Sequence, residues 1–443
     1  MILSIRGFLE AKNKSVAVGI LMSLTRRQWL KSTVGTPALL ALAPVVPPFL
    51  SRVAMAAASE PSSTGNILVV LQLSGGNDGL NTVVPHTDDD YGRNRSTLRL
   101  AERELLKIDA SLGFHQEMRA VWKLFQDGKA SVIQGVGYPK GSRDHDVALR
   151  GWHTARPGEA ACQTGWIGRA IDLAASSGEP TVPGVFVGPI ATPFALQAEQ
   201  QIVPALRALD AGQRAGLERL RRQSQRWRDL VGPPAGADGT SRTGDNPLLG
   251  LAAGNLQAAY VGAERLEAIL RQADGTGYPQ FQIASHLAAI GQLIRADLGI
   301  RVFFAELGGG GIGGFDNHAN QRDNHAALLR QLSESMAAFV SDLQRAGVLD
   351  RVVLMTFSEF GRTLVENGRR GTDHGDAAPI FLAGGRLRGG LVGSHPRLDR
   401  LVEGAPESHT DFRRVYATML DRWLGLDSQA VLGQRYESLD LFA

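Results

Sequence analysis

Residues 66–79 read NILVVLQLSGGNDG: a continuous apolar, β-branched run that stops in a serine and two glycines. A strand with one wet face alternates polar and apolar residues. A run that is apolar at nearly every position belongs to a strand covered on both faces, as in a parallel sheet held between helices. ASVIQGVG (130–137), RVFFAELG (301–308), RVVLMTFS (351–358) and PIFLAGG (379–385) carry the same signature. Between these runs lie QEMRAVWKLFQDG (116–128) and HAALLRQLSESMAAFVSDLQRAG (325–347), which are apolar at helical spacing and stop at glycine. The alternation predicts an α/β fold, a three-layer α/β/α sandwich. Residues 193–278, rich in Gln, Arg and Ala and broken by GPPAGADGTSRTGDNP, read as a mostly helical insertion with one flexible loop. The rest of 59–443 is expected to form a single large domain.

In open α/β sheets the chemistry gathers where strands hand over to loops at their carboxyl ends. Asp78 follows the first strand here, Ser142 and His145 the second, Asp316 and His318 the third, and Asp373 with His374 the fourth after a turn. GGFDNHANQ (313–321) sets Asp316 and His318 two apart, a spacing that turns both side chains to one side of an extended segment. GTDHGDAAP (371–379) adds an adjacent Asp373 and His374 flanked by glycines. Mixed carboxylate and imidazole ligands suit zinc, manganese or iron, and a site richer in oxygen shifts toward magnesium or calcium. Glu359 and Arg362 in SEFGR fit either a structural ion pair or an arm of the site. His325, at a helix start, fits a cap or a support behind the site, while His115, His153 and His395 read as surface or turn residues. The single cysteine, Cys162, has no partner for an internal disulfide and no nearby base.

Ahead of the domain, SLTRRQWLK (23–31) places Arg26 and Arg27 before a moderately apolar stretch, 34–50, that prolines 37, 44, 47 and 48 interrupt. Paired arginines before such a run form the address of the twin-arginine translocase, and the small-residue sites at 54–58 place cleavage near Ala56 or Ala58. Residues 1–58 thus read as a twin-arginine signal peptide, with Met22 the expected start, and the mature protein as periplasmic or extracellular. Those residues hold seven of the 47 Lys and Arg and one of the 44 Asp and Glu, so the formal charge moves from +3 to −3 on their removal. A near-neutral mature chain has no electrostatic footprint for nucleic acid.

LQLSGGNDGLNTVVP, GYPKGSRDH, GWIGRAID, GGFDNHANQ, FSEFGRTLVENGRRGTDHG and TDFRRVYATMLDRWLG together resemble the exported bacterial proteins grouped as domain-of-unknown-function family 1501, over about residues 66–426. That family looks like a branch of the alkaline phosphatase and sulfatase superfamily. The resemblance implies an alkaline-phosphatase-like fold and two divalent ions (zinc, manganese, magnesium or calcium). It implies a ligand set of Asp78, Asp316, His318, Asp373, His374 and His409, with Ser142 as nucleophile and Arg143 as a fork for phosphate or sulfate. It also implies hydrolysis of a small-molecule or glycan ester, and an exported protein as partner. The chain departs from the superfamily pattern in three ways: Asn320 stands where three intervening residues would place the histidine, GSRDH is not the sulfatase cysteine motif, and His409 in SHTDFRR heads an expected helix, where it fits a cap as well as a ligand. A non-catalytic exported binding or scaffold protein retaining this fold is the alternative. No CxxCH or flavin fingerprint supports a redox role.

Overall fold

The computed structural model describes residues 65–176, 184–189, 191–206, 262, 264–266, 268–270, 277–308 and 314–443. The expected leader and most of the expected insertion lie outside the described residues. The described residues of Ser59–Val203 and Glu267–Ala443 form a compact unit that contains the sheet and the site.

The apolar runs become strands β1 (Ile67–Leu73), β2 (Ala130–Gly137), β4 (Val302–Leu307), β5 (Val352–Phe357) and β8 (Ala378–Gly384). Shorter strands β3 (Val185–Val187), β9 (Gly390–Val392) and β10 (Thr410–Asp411) extend the same sheet, and β6 (Arg362–Glu366) with β7 (Thr372–His374) forms a separate two-stranded ribbon. The sheet order is β9-β2-β8-β5-β1-β4-β3, with β10 beside β2. β1 runs parallel to β4 and β5, but β8 is antiparallel to both β5 and β2. The sheet is therefore mixed. Burial on both faces fixes the composition of a strand whichever way it runs, so the apolar run at β8 carried no sign of its direction.

Helices cover both faces. On one, Trp152 of α2 (His145–Thr154) stacks on Phe357 of β5 and Phe412 of α6 (Phe412–Thr418), with ring centroids 5.6 and 4.3 Å apart. On the other, Phe114 packs on Phe381 of β8 and on Phe125 of α1 (Arg119–Gln126), at 6.0 and 5.4 Å. Leu382 lies opposite Met355 in the ladder, so Phe381 and Phe357 occupy opposite faces. This is the three-layer arrangement. α3 (Trp166–Ser176), α4 (Gln282–Arg295) and α5 (Gln321–Arg345) are further helices of this unit.

β1 sits at the centre, and its exit decides what can gather there. Gly75 and Gly76 have φ of 111° and 81°, and a Cβ on either would lie 2.4 Å from the Asp316 nitrogen or the Phe360 ring. Only glycine lets the loops after β4 and β5 close over this turn. Into the gap reaches Arg362, whose guanidinium donates to the carbonyls of Gly75, Gly76, Phe315 and Thr372 and to Asp316 Oδ1 at 2.8 Å.

His115 and His153, read from sequence as surface or turn residues, are buried. His115 Nδ1 accepts from the Glu117 amide at 3.1 Å, and His153 Nε2 contacts Gln72 Oε1 at 2.7 Å. Burial pushes the pKa of His115 and His286 down to about 4, and of His153 and His325 down to about 3. Unfolded, these imidazoles titrate near 6.5. Below that pH the unfolded chain takes up protons that the folded one refuses, so stability is complete above about 6.5 and is lost as pH falls toward about 4. The expected loss is about 1.4 kcal/mol per pH unit for each histidine. Urea unfolding between about pH 7 and pH 5 measures it, and a flat profile would mean that these imidazoles are charged in the folded protein.

Candidate metal centre

Four strand ends meet at the rim of the sheet. The β2 exit leads through Ser142 and Arg143 to His145 at the first turn of α2, the β4 exit to Asp316 and His318, and the β5 exit to Glu359; the ribbon after β5 brings in Asp373 and His374. At the centre stands Asp316. Its Oδ1 lies 3.0 Å from His318 Nε2 and 3.1 Å from His374 Nε2, those two nitrogens are 2.9 Å apart, and Oδ2 lies 3.5 Å from His145 Nε2. Ligand atoms of His145, Asp316 and His374 fall within 4.8 Å of one another. Phe360 stacks on His374 at 4.4 Å and supplies an apolar wall.

Proton bookkeeping decides what this cluster is. His374 Nδ1 is 2.6 Å from the Arg143 carbonyl, which can only accept, so Nδ1 carries the hydrogen and Nε2 presents a lone pair. His318 Nδ1 faces Asp373 Oδ1 at 3.1 Å, and His145 Nδ1 faces Glu359 Oε1 at 2.9 Å, with the same consequence. Burial raises the pKa of Asp316, but the bond and charge of Arg362, with the neighbouring imidazoles, outweigh it and hold the carboxyl at about 2. When the rings are neutral, an anionic oxygen and imidazole lone pairs converge with no hydrogen between them, whereas the Glu359 bond raises the pKa of His145 and favours a proton on that ring. Burial lowers the pKa of His374, against curing the repulsion by a proton there. Ligand atoms about 2.1 Å from a common ion and about 90° apart would stand about 3.0 Å from each other. The Asp316, His318 and His374 atoms fit that spacing, and each imidazole has an oxygen acceptor behind it, as metal-ligating histidines usually do.

Other expected site residues stand apart. Asp78 is buried, with Oδ1 taking Arg95 Nη2 at 3.0 Å and the Leu80 amide at 3.2 Å, and Oδ2 taking Arg95 Nη1 and Gln321 Nε2, both at 2.5 Å. Burial raises its pKa, and Arg95 with Gln321 overcomes that and lowers it below the usual range. Its oxygens are occupied, so in this arrangement it serves the fold. The guanidinium of Arg143 turns away to the carbonyls of Val402 and Glu403, at 2.5 and 2.8 Å, and only the Arg143 carbonyl touches the cluster. Ser142 Oγ accepts from the Asp144 amide at 3.1 Å, just ahead of α2. His409 lies three residues before α6, bonded to the Ser394 carbonyl at 2.9 Å and Thr410 Oγ1 at 3.1 Å. Asp373 supports His318 instead of meeting the other Nε2 atoms. His325 is buried in α5 against Asn77 Oδ1 at 2.9 Å. Glu359 and Arg362 pair with His145 and Asp316, not with each other.

Residues 271–437 match the family described as protein of unknown function, DUF1501. That stretch carries Asp316, His318, Asp373 and His374, and the resemblance drawn from the motifs is met there. No curated protein matches the chain. Among solved structures it is similar to the C-terminal periplasmic domain of EcEptC from Escherichia coli, at 11% identity over 74% of this chain and 75% of that one, with a TM-score of 0.32. It is similar to a protein in the alkaline phosphatase superfamily from Vibrio parahaemolyticus (11% identity, 87% and 77%, TM-score 0.34). An alkaline phosphatase from the Antarctic bacterium TAB5 also matches (12% identity, 74% and 95%, TM-score 0.30). Likeness at this level carries nothing about chemistry, and the site rests on its own geometry.

Asp78→Asn and Asp316→Asn separate fold from site. The first leaves Arg95 buried without its counter-charge and is expected to cost about 3–5 kcal/mol of unfolding free energy while the folded protein keeps its metal. The second is expected to abolish metal binding. Urea unfolding and elemental analysis read the two, and metal loss from folded Asp78→Asn protein would return Asp78 to the ligands.

Proposed function

We propose that this protein is a metal-dependent hydrolase of phosphate or sulfate esters that works outside the cytoplasm. The observation that carries the reading is the set of three imidazoles, each with Nδ1 facing an oxygen and Nε2 turned to Asp316. Asp316, His318 and His374 would hold a divalent ion, with His145 as a further ligand. A donor set rich in imidazole favours zinc, manganese or iron over magnesium or calcium. A bound ion of this kind stabilises developing oxygen charge and lowers the pKa of a hydroxyl beside it.

The chain's own groups supply the rest. Glu359, Asp373 and the Arg143 carbonyl fix the ring orientations, so the nitrogen lone pairs are pre-aimed. Ser142 is the hydroxyl adjoining the residue that holds His374, and its Oγ accepts from the Asp144 amide without spending its own proton. As nucleophile its oxygen would bond to phosphorus or sulfur, the bond from that atom to the alcohol oxygen would break, and the alcohol would leave with a proton; water would then release the serine ester. Export rests on the paired arginines of the leader. No helix among the described residues is long and apolar enough to cross a membrane. The second reading, an exported binding or scaffold protein, is favoured by the partners of Asp78 and His409, which bond to Arg95 with Gln321 and to the Ser394 carbonyl with Thr410.

Elemental analysis of protein folded in the cytoplasm and purified without chelator tests the first step. At least one transition-metal ion per chain is expected, lost in His374→Ala, and no metal in the wild type would leave only the scaffold reading. With metal present, Ser142→Ala is expected to lower turnover of phosphate or sulfate esters by about 100-fold or more. Unchanged turnover would remove Ser142 from the reaction.

A further inference from the structure

The turn between β6 and β7, residues 367–371, is fastened to the site at several points. Asn367 Nδ2 donates to the His318 carbonyl and to Asp373 Oδ1, both at 3.1 Å, and Asn367 Oδ1 accepts from the amides of Arg369 and Gly371 at 3.0 and 3.2 Å. The carbonyls of Arg369 and Arg370 take the amides of Asn320 and Gln321, at 3.1 and 2.9 Å, where α5 begins. A Cβ on Gly371 would lie 2.3 Å from the His318 carbonyl carbon, so the turn is pressed against a candidate ligand's backbone. Arg370 holds φ of 56°, a left-handed conformation uncommon for a side-chain-bearing residue and found where surrounding structure imposes it.

What this rigid turn presents is charge with nothing to do. Arg369 and Arg370 are exposed, and among the described residues neither guanidinium has a hydrogen bond or ion pair. The neighbouring cations are engaged: Arg362 on the strand-end carbonyls, Arg143 on Val402 and Glu403, Arg322 on Glu104. A guanidinium is a planar fork matched to the oxygens of phosphate and sulfate.

We propose that Arg369 and Arg370 recognise a second anionic group of the substrate, so that the site selects esters carrying more than one phosphate or sulfate. This rests on the hydrolase reading for the first group, held at Asp316, His318 and His374; the arginines take the second. The turn thereby performs the anion recognition expected of Arg143.

Calorimetric titration of the metal-loaded full chain with fructose bisphosphate and fructose monophosphate tests it, on wild type, Arg369→Gln/Arg370→Gln and Arg369→Lys/Arg370→Lys. The wild type is expected to bind the bisphosphate about tenfold more tightly, the size of one or two charge-assisted bonds, with a preference that shrinks in high salt. The glutamine pair should lose that preference with monophosphate binding unchanged, and the lysine pair should recover part of it. Equal binding of the two sugars by wild type, or a preference that survives in the glutamine pair, overturns the proposal. A bisphosphate affinity that depends on the arginines, with no monophosphate binding at all, would uphold the arginines' role and count instead against the cluster as an ester site.

Discussion

A single buried cation holds the functional end of this molecule together. The Arg362 guanidinium reaches carbonyls of the turn after β1, of the loop after β4 and of the ribbon, together with the carboxylate of Asp316. A charge so removed from water needs its acceptors, and here those acceptors come from three separate segments of the chain. Because Asp316 is its only carboxylate partner in that set, the same contact fixes which way the central carboxylate points. Glycines at 75 and 76 leave the room, the arginine fills it, and three imidazoles line up on the oxygens that result.

Much of the sheet was legible because burial on two faces leaves an unambiguous trace. ASVIQGVG became β2 over the same eight residues, and the strands at β1, β4 and β5 lie within one residue of their apolar runs. Direction left no such trace, which is why β8 was read as parallel. The histidines show the converse weakness. A buried neutral imidazole with one hydrogen-bond partner, such as His153 against Gln72, looks in sequence like any isolated histidine on a turn.

The site was legible where ligands are neighbours in the chain. Asp316 and His318 meet side by side, as a spacing of two in an extended segment suggested, whereas of the adjacent Asp373 and His374 the first turns to His318 Nδ1 and the second to Asp316. Asp78 follows a strand end just as Asp316 does, but Arg95, which claims it, lies in another segment, and nothing near Asp78 announces that pairing. Arg143 sits beside the site in sequence while its side chain follows the carbonyls at 402 and 403. The roles of His145 and Glu359 were present only as a signal of position: an acid just beyond a strand in SEFGR, and a histidine at a helix start in SRDH.

The place of β1 in the sheet bears on how the chain reaches this state. The strand met first along the sequence is the central one, yet its two neighbours, Val302–Leu307 and Val352–Phe357, come more than half the chain later. Closing those distances sets the loop entropy against early pairing, so the sheet cannot grow outward from its centre as synthesis proceeds. The apolar β1 must wait unpaired until β4 has been made, and with one edge open and prone to association until β5 has followed. The Ser358 hydroxyl bonded to the Leu73 carbonyl, across 285 residues, marks the moment at which that exposure ends.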